Sequence, residues 1–184
     1  MSIEAEEIWA ILKEVAYEQK ETERKFQETD RKFQETDCKL EKLGELLGNI
    51  GRNQSDVAEE FFFNSLANDT HLGSIHFDDI SKNDYKLRGK IQEEYDIVMT
   101  NGDAIGIVEV KYKAHENDLK KLERKMRNFK KLFPIYEAYK LYGAIASFHI
   151  NDDAKEAALN QGFFVLQRSG NLIHTDCAEN LLVL

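Results

Sequence analysis

Asp96, Glu109 and Lys111 each place a charge in a segment that is otherwise apolar. Side chains alternate faces along a β-strand, so Ile105, Ile107, Glu109 and Lys111 point to the same side of the strand predicted here. A charged group on such a face is costly unless it is paired or bound to a cation. A conflict of this kind between pattern and chemistry indicates a site rather than a simple core strand.

The turn predicted at Asn101-Gly102 brings the two carboxylates together. It sets Asp96 and Glu109 on neighbouring strands, where both could contact one cation. Mg²⁺ is bound through one or two carboxylates together with water and phosphate oxygens. Lys111 would then stand beside the metal, where it could orient or deprotonate a water. The alternative is an ordinary hairpin in which Glu109 and Lys111 neutralise each other.

Asp96, followed after 12 intervening residues by Glu109-Val110-Lys111, resembles the D…(D/E)xK signature of the PD-(D/E)XK nuclease superfamily. Tyr95 occupies the position where a proline is usual in that signature. The resemblance extends over roughly residues 52 to 175. A helix with aromatic residues and glutamates over 56–66 precedes the hairpin, and a long helix and two strands follow it.

The resemblance implies an α/β fold with a restriction-endonuclease-like core in the order α-β-β-β-α-β, a mixed central sheet flanked by helices. It implies that Asp96, Glu109 and the Val110 carbonyl bind Mg²⁺ or Mn²⁺, that Lys111 is catalytic, and that the substrate is DNA. Members of the superfamily often place a glutamate from the first helix near the metal. Glu59 is the preferred residue for this role, because it borders the face of Phe62, and Glu60 is the alternative.

Heptads dominate the N-terminal segment, where RKFQETD occurs at 24–30 and again at 31–37. A register with Phe26 at position a indicates a coiled coil that self-associates. Glutamine and threonines in the seam lower stability but restrict register and oligomer state, whereas phenylalanine at a is bulky for a simple parallel dimer. A dimer, a trimer and an antiparallel pair therefore stay open, and a single solvated helix is the alternative to self-association. The a positions are Ala5, Leu12, Gln19, Phe26, Phe33, Leu40 and Leu47, and the d positions are Ile8, Val15, Thr22, Thr29, Thr36, Leu43 and Ile50.

Three glycines, Gly44, Gly48 and Gly51, predict the end of this helix. They divide the chain into an oligomerisation helix over 1–50 and a nuclease-like domain over 51–184. Together with the nuclease-like segment, the heptads resemble a group of bacterial proteins that join a coiled coil to such a domain.

The net charge of −9 is a poor general match for nucleic acid. Residues 111 to 131, however, contain nine basic and three acidic residues. Most of this segment is predicted to form a helix that Pro134 ends, with a basic stripe that could contact a phosphate backbone without reading its sequence. A solvated helix face is the alternative. The predicted contacts are Lys113, Lys120, Arg124, Arg127 and Lys131.

No apolar run reaches the ~18 residues of a membrane span. Cys38 and Cys177 match neither a disulfide framework nor a zinc site, so a cytoplasmic location is expected. Further elements predicted are a first strand over 74–80, a connection over 85–91, a buried strand over 141–150, a short helix to about Gln161 and strands near 163–167 and 172–174.

The sequence thus predicts a divalent-metal-dependent nuclease acting on DNA and oligomerised by a coiled coil. Two other classes stay open. The domain could bind nucleic acid without cleaving it, or the coiled coil could be a scaffold for which the globular domain is a docking unit.

Overall fold

The computed structural model describes residues 3–184, with side chains from residue 8 onward except those of residues 10, 45, 49 and 52. The chain divides into two compact units, Met1–Gly51 and Arg52–Leu184. Within the described residues, none of the helices combines the length and apolar character needed to cross a bilayer.

Helix α1 spans Ile3–Asn68. The prediction that the helix stops at Gly44, Gly48 and Gly51 is therefore wrong. A glycine ends a helix when it adopts a left-handed conformation, and none of these three has a positive φ. An interior glycine costs only about 1 kcal/mol relative to alanine, so a helix continues through it when neighbouring residues favour helix. In the predicted heptads, the a position Ala5 lies outside the described side chains.

Within residues 3–184, eight strands form two sheets. A small antiparallel pair joins β1 and β2, and a six-stranded sheet has the order β3-β4-β5-β6-β7-β8. In the larger sheet β5 pairs in parallel with β6 and β6 with β7, and the other pairs are antiparallel. The bounds are β1 His71–Leu72, β2 Ile75–His76, β3 Asp79–Arg88, β4 Ile91–Thr100, β5 Ala104–Ala114, β6 Lys140–Ile150, β7 Phe164–Ser169 and β8 Leu172–Asp176.

Two further helices complete the globular unit. Helix α2 spans Glu116–Leu132, a 3₁₀ turn follows at Pro134–Tyr136, and α3 spans Asp152–Asn160. Two groups of buried apolar side chains lie against the sheet. One contains Leu122 and Phe129 of α2 with Ile107 of β5. The other contains Phe62 near the end of α1 with Val108 of β5.

The predicted α/β class, with a mixed sheet flanked by helices and preceded by a long helix, is confirmed. The order α1, β3, β4, β5, α2, β6 is the α-β-β-β-α-β order that the resemblance implied.

The segment before the hairpin differs from the prediction. The first strand expected over 74–80 is instead the pair β1–β2 followed by the start of β3. The connection expected over 85–91 is shorter than predicted. Residues 85–88 belong to β3 and residue 91 begins β4, so the turn between the strands consists of residues 89–90. Most of β3 is exposed, so the strand lacks the alternation of apolar and polar residues by which a half-buried strand is recognised.

Candidate active site

Strands β4 and β5 separate at the point where the two carboxylates lie. Their pairing ends at Ile97↔Val108, one position before Asp96 and Glu109 would face each other. Beyond that point an Asp96 side-chain oxygen, Oδ2, accepts a hydrogen bond from the backbone N–H of Val110 at 2.8 Å. The aspartate thus replaces a missing ladder bond and is held against β5.

The neighbouring strand is also irregular here. Between Lys82↔Ile97 and Asp84↔Tyr95 the pairing of β3 with β4 skips one position, which leaves Asn83 opposite Asp96. Asn83 has a positive φ of 57°. At this position Tyr95 and Asp96, although adjacent in sequence, both contact Lys125 of α2.

Lys111 carries the cation on which the predicted ligands converge. Its Nζ lies 2.7 Å from Glu109 Oε1, 3.4 Å from Asp96 Oδ2 and 2.7 Å from the carbonyl oxygen of Val110. Glu109 is buried, with a side chain only 3% exposed, whereas that of Lys111 is 27% exposed. Two carboxylates and one carbonyl therefore present three oxygen atoms to a single positive charge.

Lys125 supplies a second ammonium from α2. Its Nζ contacts Glu109 Oε2 and lies 3.4 Å from Asp96 Oδ1. This residue was not predicted from the sequence, although a signal was present. Lys125 follows Leu122 by three residues and precedes Phe129 by four, so it is a charged residue on the buried face of α2.

Charge compensation explains how these groups tolerate burial. Burial by itself would lower the pKa of Lys111, but the carboxylates of Glu109 and Asp96 outweigh it and raise the pKa above its ordinary value. Lys111 is therefore protonated in this arrangement. It can orient a water or stabilise negative charge, whereas acting as a base would require the carboxylates to engage another cation first.

Helix α1 contributes Glu59 at the edge of the site. Glu59 is half-buried, and its pKa is raised first by burial and then by the negative charge of Asp96. Within the described part of the chain, no hydrogen bond or ion pair joins Glu59 to the other site residues. Glu60 points elsewhere, because it pairs with Lys82 at 2.7 Å and accepts a hydrogen bond from Asn64.

The residues of the predicted basic stripe fall into two groups, those paired with an acidic side chain and those exposed to solvent. The Arg124 guanidinium binds both oxygens of the buried Glu93 at 3.1 and 3.0 Å, and Arg127 pairs with Glu123 at 2.6 Å. Lys113 on β5 and the α2 residues Lys120 and Lys131 are exposed.

An open cleft of about 350 Å³ exposes these groups. It is lined from β3, β4, β5 and α2 by Tyr85, Gln92, Glu93, Glu94, Asp96, Glu109, Lys111, Lys121, Arg124 and Lys125. No cluster of three or more His, Cys, Asp or Glu side chains able to hold a metal occurs among the residues that the structure describes. Two carboxylates and a carbonyl, however, are the hard oxygen donors with which Mg²⁺ is compatible when water fills the remaining positions.

Comparisons with known proteins return one distant structural match. No protein-family model and no curated protein matches the chain. Among solved structures, a repair endonuclease from Pyrococcus abyssi is 18% identical with a TM-score of 0.44. The match covers 60% of this chain and 46% of the endonuclease chain, less than half of that protein's length.

Proposed function

We propose that the globular unit is a divalent-metal-dependent nuclease that hydrolyses phosphodiester bonds in DNA, and that the N-terminal helix joins copies of the chain. The observation that carries the proposal is the convergence of Asp96, Glu109 and the Val110 carbonyl on the ammonium of Lys111. The ammonium of Lys111 already occupies the position where these three oxygens meet. The same oxygens would hold Mg²⁺ or Mn²⁺ once Lys111 turns toward the cleft.

When bound, the ion would polarise the scissile phosphate and lower the pKa of a bound water. The chain's own residues would do the rest. Lys111 would orient the attacking water and stabilise charge on the phosphate. Lys125 would hold Glu109 in place, and Glu59 would contact water at the edge of the site. Lys113, Lys120 and Lys131 would contact the DNA backbone, with Arg124 and Arg127 at the margin of that surface.

The cleavage experiment compares wild type with Glu109→Gln, which keeps the size of the side chain but removes its charge. The substrates are plasmid, linear, single-stranded and branched DNA, with Mg²⁺ or Mn²⁺ and an EDTA control. Glu156→Ala, which removes an exposed carboxylate from α3, is the matched control. We expect metal-dependent cleavage by wild type and Glu156→Ala and its loss in Glu109→Gln. Thermal unfolding confirms that each variant is folded.

A second candidate is a nucleic-acid-binding protein with the same fold and no cleavage activity. The contacts of Lys111 and Lys125 favour it, because two ammonium groups neutralise two carboxylates without any metal. Such a protein would bind DNA equally well in EDTA and lose nothing in Glu109→Gln. Failure to bind any of the DNA substrates would instead support a scaffolding role.

A cytoplasmic location remains part of the proposal. Cys38 and Cys177 are both free thiols on the surface, as suits a reducing compartment.

A further inference from the structure

The N-terminal helix exposes a row of large apolar side chains. At the a positions, Phe26 is 71%, Phe33 65% and Leu40 60% exposed to solvent. The d positions Val15 and Leu43 continue the row at 44% and 51%. An apolar surface of this length on a helix indicates a binding face, because single helices gain little from heptad spacing alone.

Two of the three threonines in this seam have satisfied hydroxyl groups. Thr29 donates to the carbonyl of Lys25 and Thr36 to the carbonyl of Lys32, each at 2.8 Å. These hydrogen bonds stay within the helix, so neither threonine needs a polar partner on another molecule. The seam can therefore be covered by the same sequence in a second copy.

The charges beside the seam are sorted by position. In the register with Phe26 at a, the e positions hold Glu23, Asp30 and Asp37, all acidic. The g positions of the same heptads hold Lys25, Lys32 and Lys39, all basic. One edge of the seam is thus negative over three successive heptads and the other edge is positive.

We infer that two copies of the N-terminal helix pair in parallel and in register. This rests on the self-association included in the proposed function and adds the orientation. In a parallel pair each g residue meets the e residue of the next heptad on its partner, so Lys25 meets Asp30 and Lys32 meets Asp37 on both edges. In an antiparallel pair e faces e and g faces g, which would set acids against acids and lysines against lysines.

Three contacts oppose this arrangement, each only weakly. Glu18 at g would meet Glu23 at e, which is a single unfavourable step among the pairs. Lys32 already lies 2.9 Å from Glu28 and Lys25 3.9 Å from Glu21 in the same helix. These pairs are exposed, and exposed i,i+4 pairs are weak enough to rearrange or be shared when a partner helix arrives.

The repeat RKFQETD creates one competing arrangement. A shift of one heptad would set Phe26 against Phe33 and still match acids with lysines. It would, however, leave Leu12 and Leu47 at opposite ends without their apolar partners. The in-register pair covers the whole seam and is the arrangement we assign.

Disulfide trapping in the full-length chain tests the orientation. In a background with Cys38→Ser and Cys177→Ser, Thr29→Cys or Thr36→Cys places a thiol at a d position, where identical residues face each other only in a parallel, in-register pair. The control is Cys177→Ser alone, which keeps Cys38 at the outer f position. In a glutathione redox buffer we expect linked dimers from each d variant at least tenfold above the control.

The outcomes separate orientation from association. Sedimentation first gives the oligomeric state. A monomer at micromolar concentration would overturn both the association and the orientation. A dimer that traps the d variants no better than the control would overturn only the parallel arrangement. Preferential trapping of Thr29→Cys against Thr36→Cys in a mixture of the two variants would overturn the register.

A charge variant gives an independent readout. Lys25→Glu with Lys32→Glu removes both attractive pairs, and we expect the dissociation constant to rise at least tenfold. Lys13→Glu with Lys20→Glu makes the same change in net charge at two outer b positions and should leave it nearly unchanged. Equal effects of the two pairs would contradict the assigned contacts.

Discussion

The hydroxyl of Tyr95 donates a hydrogen bond to the backbone carbonyl of Lys125 at 3.1 Å. Tyr95 directly precedes Asp96, and Lys125 contacts Asp96 with its ammonium. Tyr95 thus positions the backbone of α2 at Lys125, whose ammonium contacts Asp96. The Tyr95 ring is fully buried and lies edge-on against Phe129, which fixes β4 against α2 on the same side of the sheet.

Tyr95→Phe removes this hydrogen bond and keeps the ring. We expect a loss of about 1 kcal/mol in the free energy of unfolding, because the buried carbonyl of Lys125 loses its side-chain donor. Urea unfolding measures the change. Tyr142→Phe on β6, a half-buried ring that packs near Phe164, is the control and should cost less. A Tyr95→Phe variant as stable as wild type would show that the contact does not fasten α2.

Lys125→Met keeps the length of the side chain and removes its charge. We expect the variant in EDTA to be less stable than wild type by about 3–5 kcal/mol, since Glu109 loses a buried partner. Mn²⁺ should then restore stability, because the carboxylates no longer have Lys125 as a competing cation. Thermal unfolding during a Mn²⁺ titration measures both effects.

The control for that titration is Lys120→Met, an exposed residue on the same helix. Its melting temperature should respond to Mn²⁺ as wild type does. If Mn²⁺ stabilises Lys125→Met no more than wild type, Lys125 does not compete with the metal for these carboxylates. If Mn²⁺ stabilises neither protein, the carboxylate pair is not a metal site.

Arg124→Ala and Lys120→Ala separate structural from surface charges on α2. Arg124 holds the buried Glu93, which otherwise keeps a hydrogen bond from Asn128 at 2.8 Å. Its removal should lower stability by about 1–3 kcal/mol. Lys120→Ala should leave stability unchanged but weaken DNA binding and reduce its salt dependence. Unfolding curves and binding at several salt concentrations test both expectations, and equal stability of the two variants would exclude a structural role for Arg124.

Glu59→Gln should alter stability in a pH-dependent way. The pKa of Glu59 is raised above its ordinary value of 4.5, first by burial and then by Asp96. Protonation of Glu59 therefore favours the folded state, and this stabilisation is fully present below pH 4.5 and is lost as the pH rises through the raised pKa. Relative to wild type, the glutamine variant should gain stability between pH 4.5 and neutrality.

Glu60→Gln serves as the opposite case. The Lys82 ammonium and the Asn64 amide lower the pKa of Glu60, so its charged form favours the folded state and the glutamine variant should gain nothing at neutral pH. Parallel pH profiles for Glu59→Gln and wild type would mean that Glu59 is solvated like an ordinary surface acid.

The placement of Asp96 and Glu109 on neighbouring strands was accessible from the sequence because a turn at Asn101-Gly102 fixes the register of the hairpin. Strand periodicity then gives the face of each side chain. The separation of the two strands at this point was not accessible, since no residue pattern marks where their pairing ends and where Asp96 instead accepts a hydrogen bond from the backbone of Val110. The alternation of side chains predicts regular strands, but it does not show where two neighbouring strands stop pairing.

The role of Lys125 illustrates a different difficulty. Residues 111 to 131 contain nine basic residues, and the sequence predicted a basic stripe on this helix without singling out Lys125. Only the position of α2 beside β4 and β5 shows that Lys125 faces two carboxylates. Contacts between elements distant in sequence determine this, and no local pattern encodes them.

The glycines within α1 do not end the helix, but they affect how easily its backbone opens. Gly44, Gly48 and Gly51 are helical, and an added Cβ at any of them would meet no atom within 4 Å. Together they cost the helix about 3 kcal/mol relative to alanine. Transient opening of the backbone is easiest where helix formation is least favourable, so amide protons near these glycines should exchange with deuterium faster than those of the helix interior on either side.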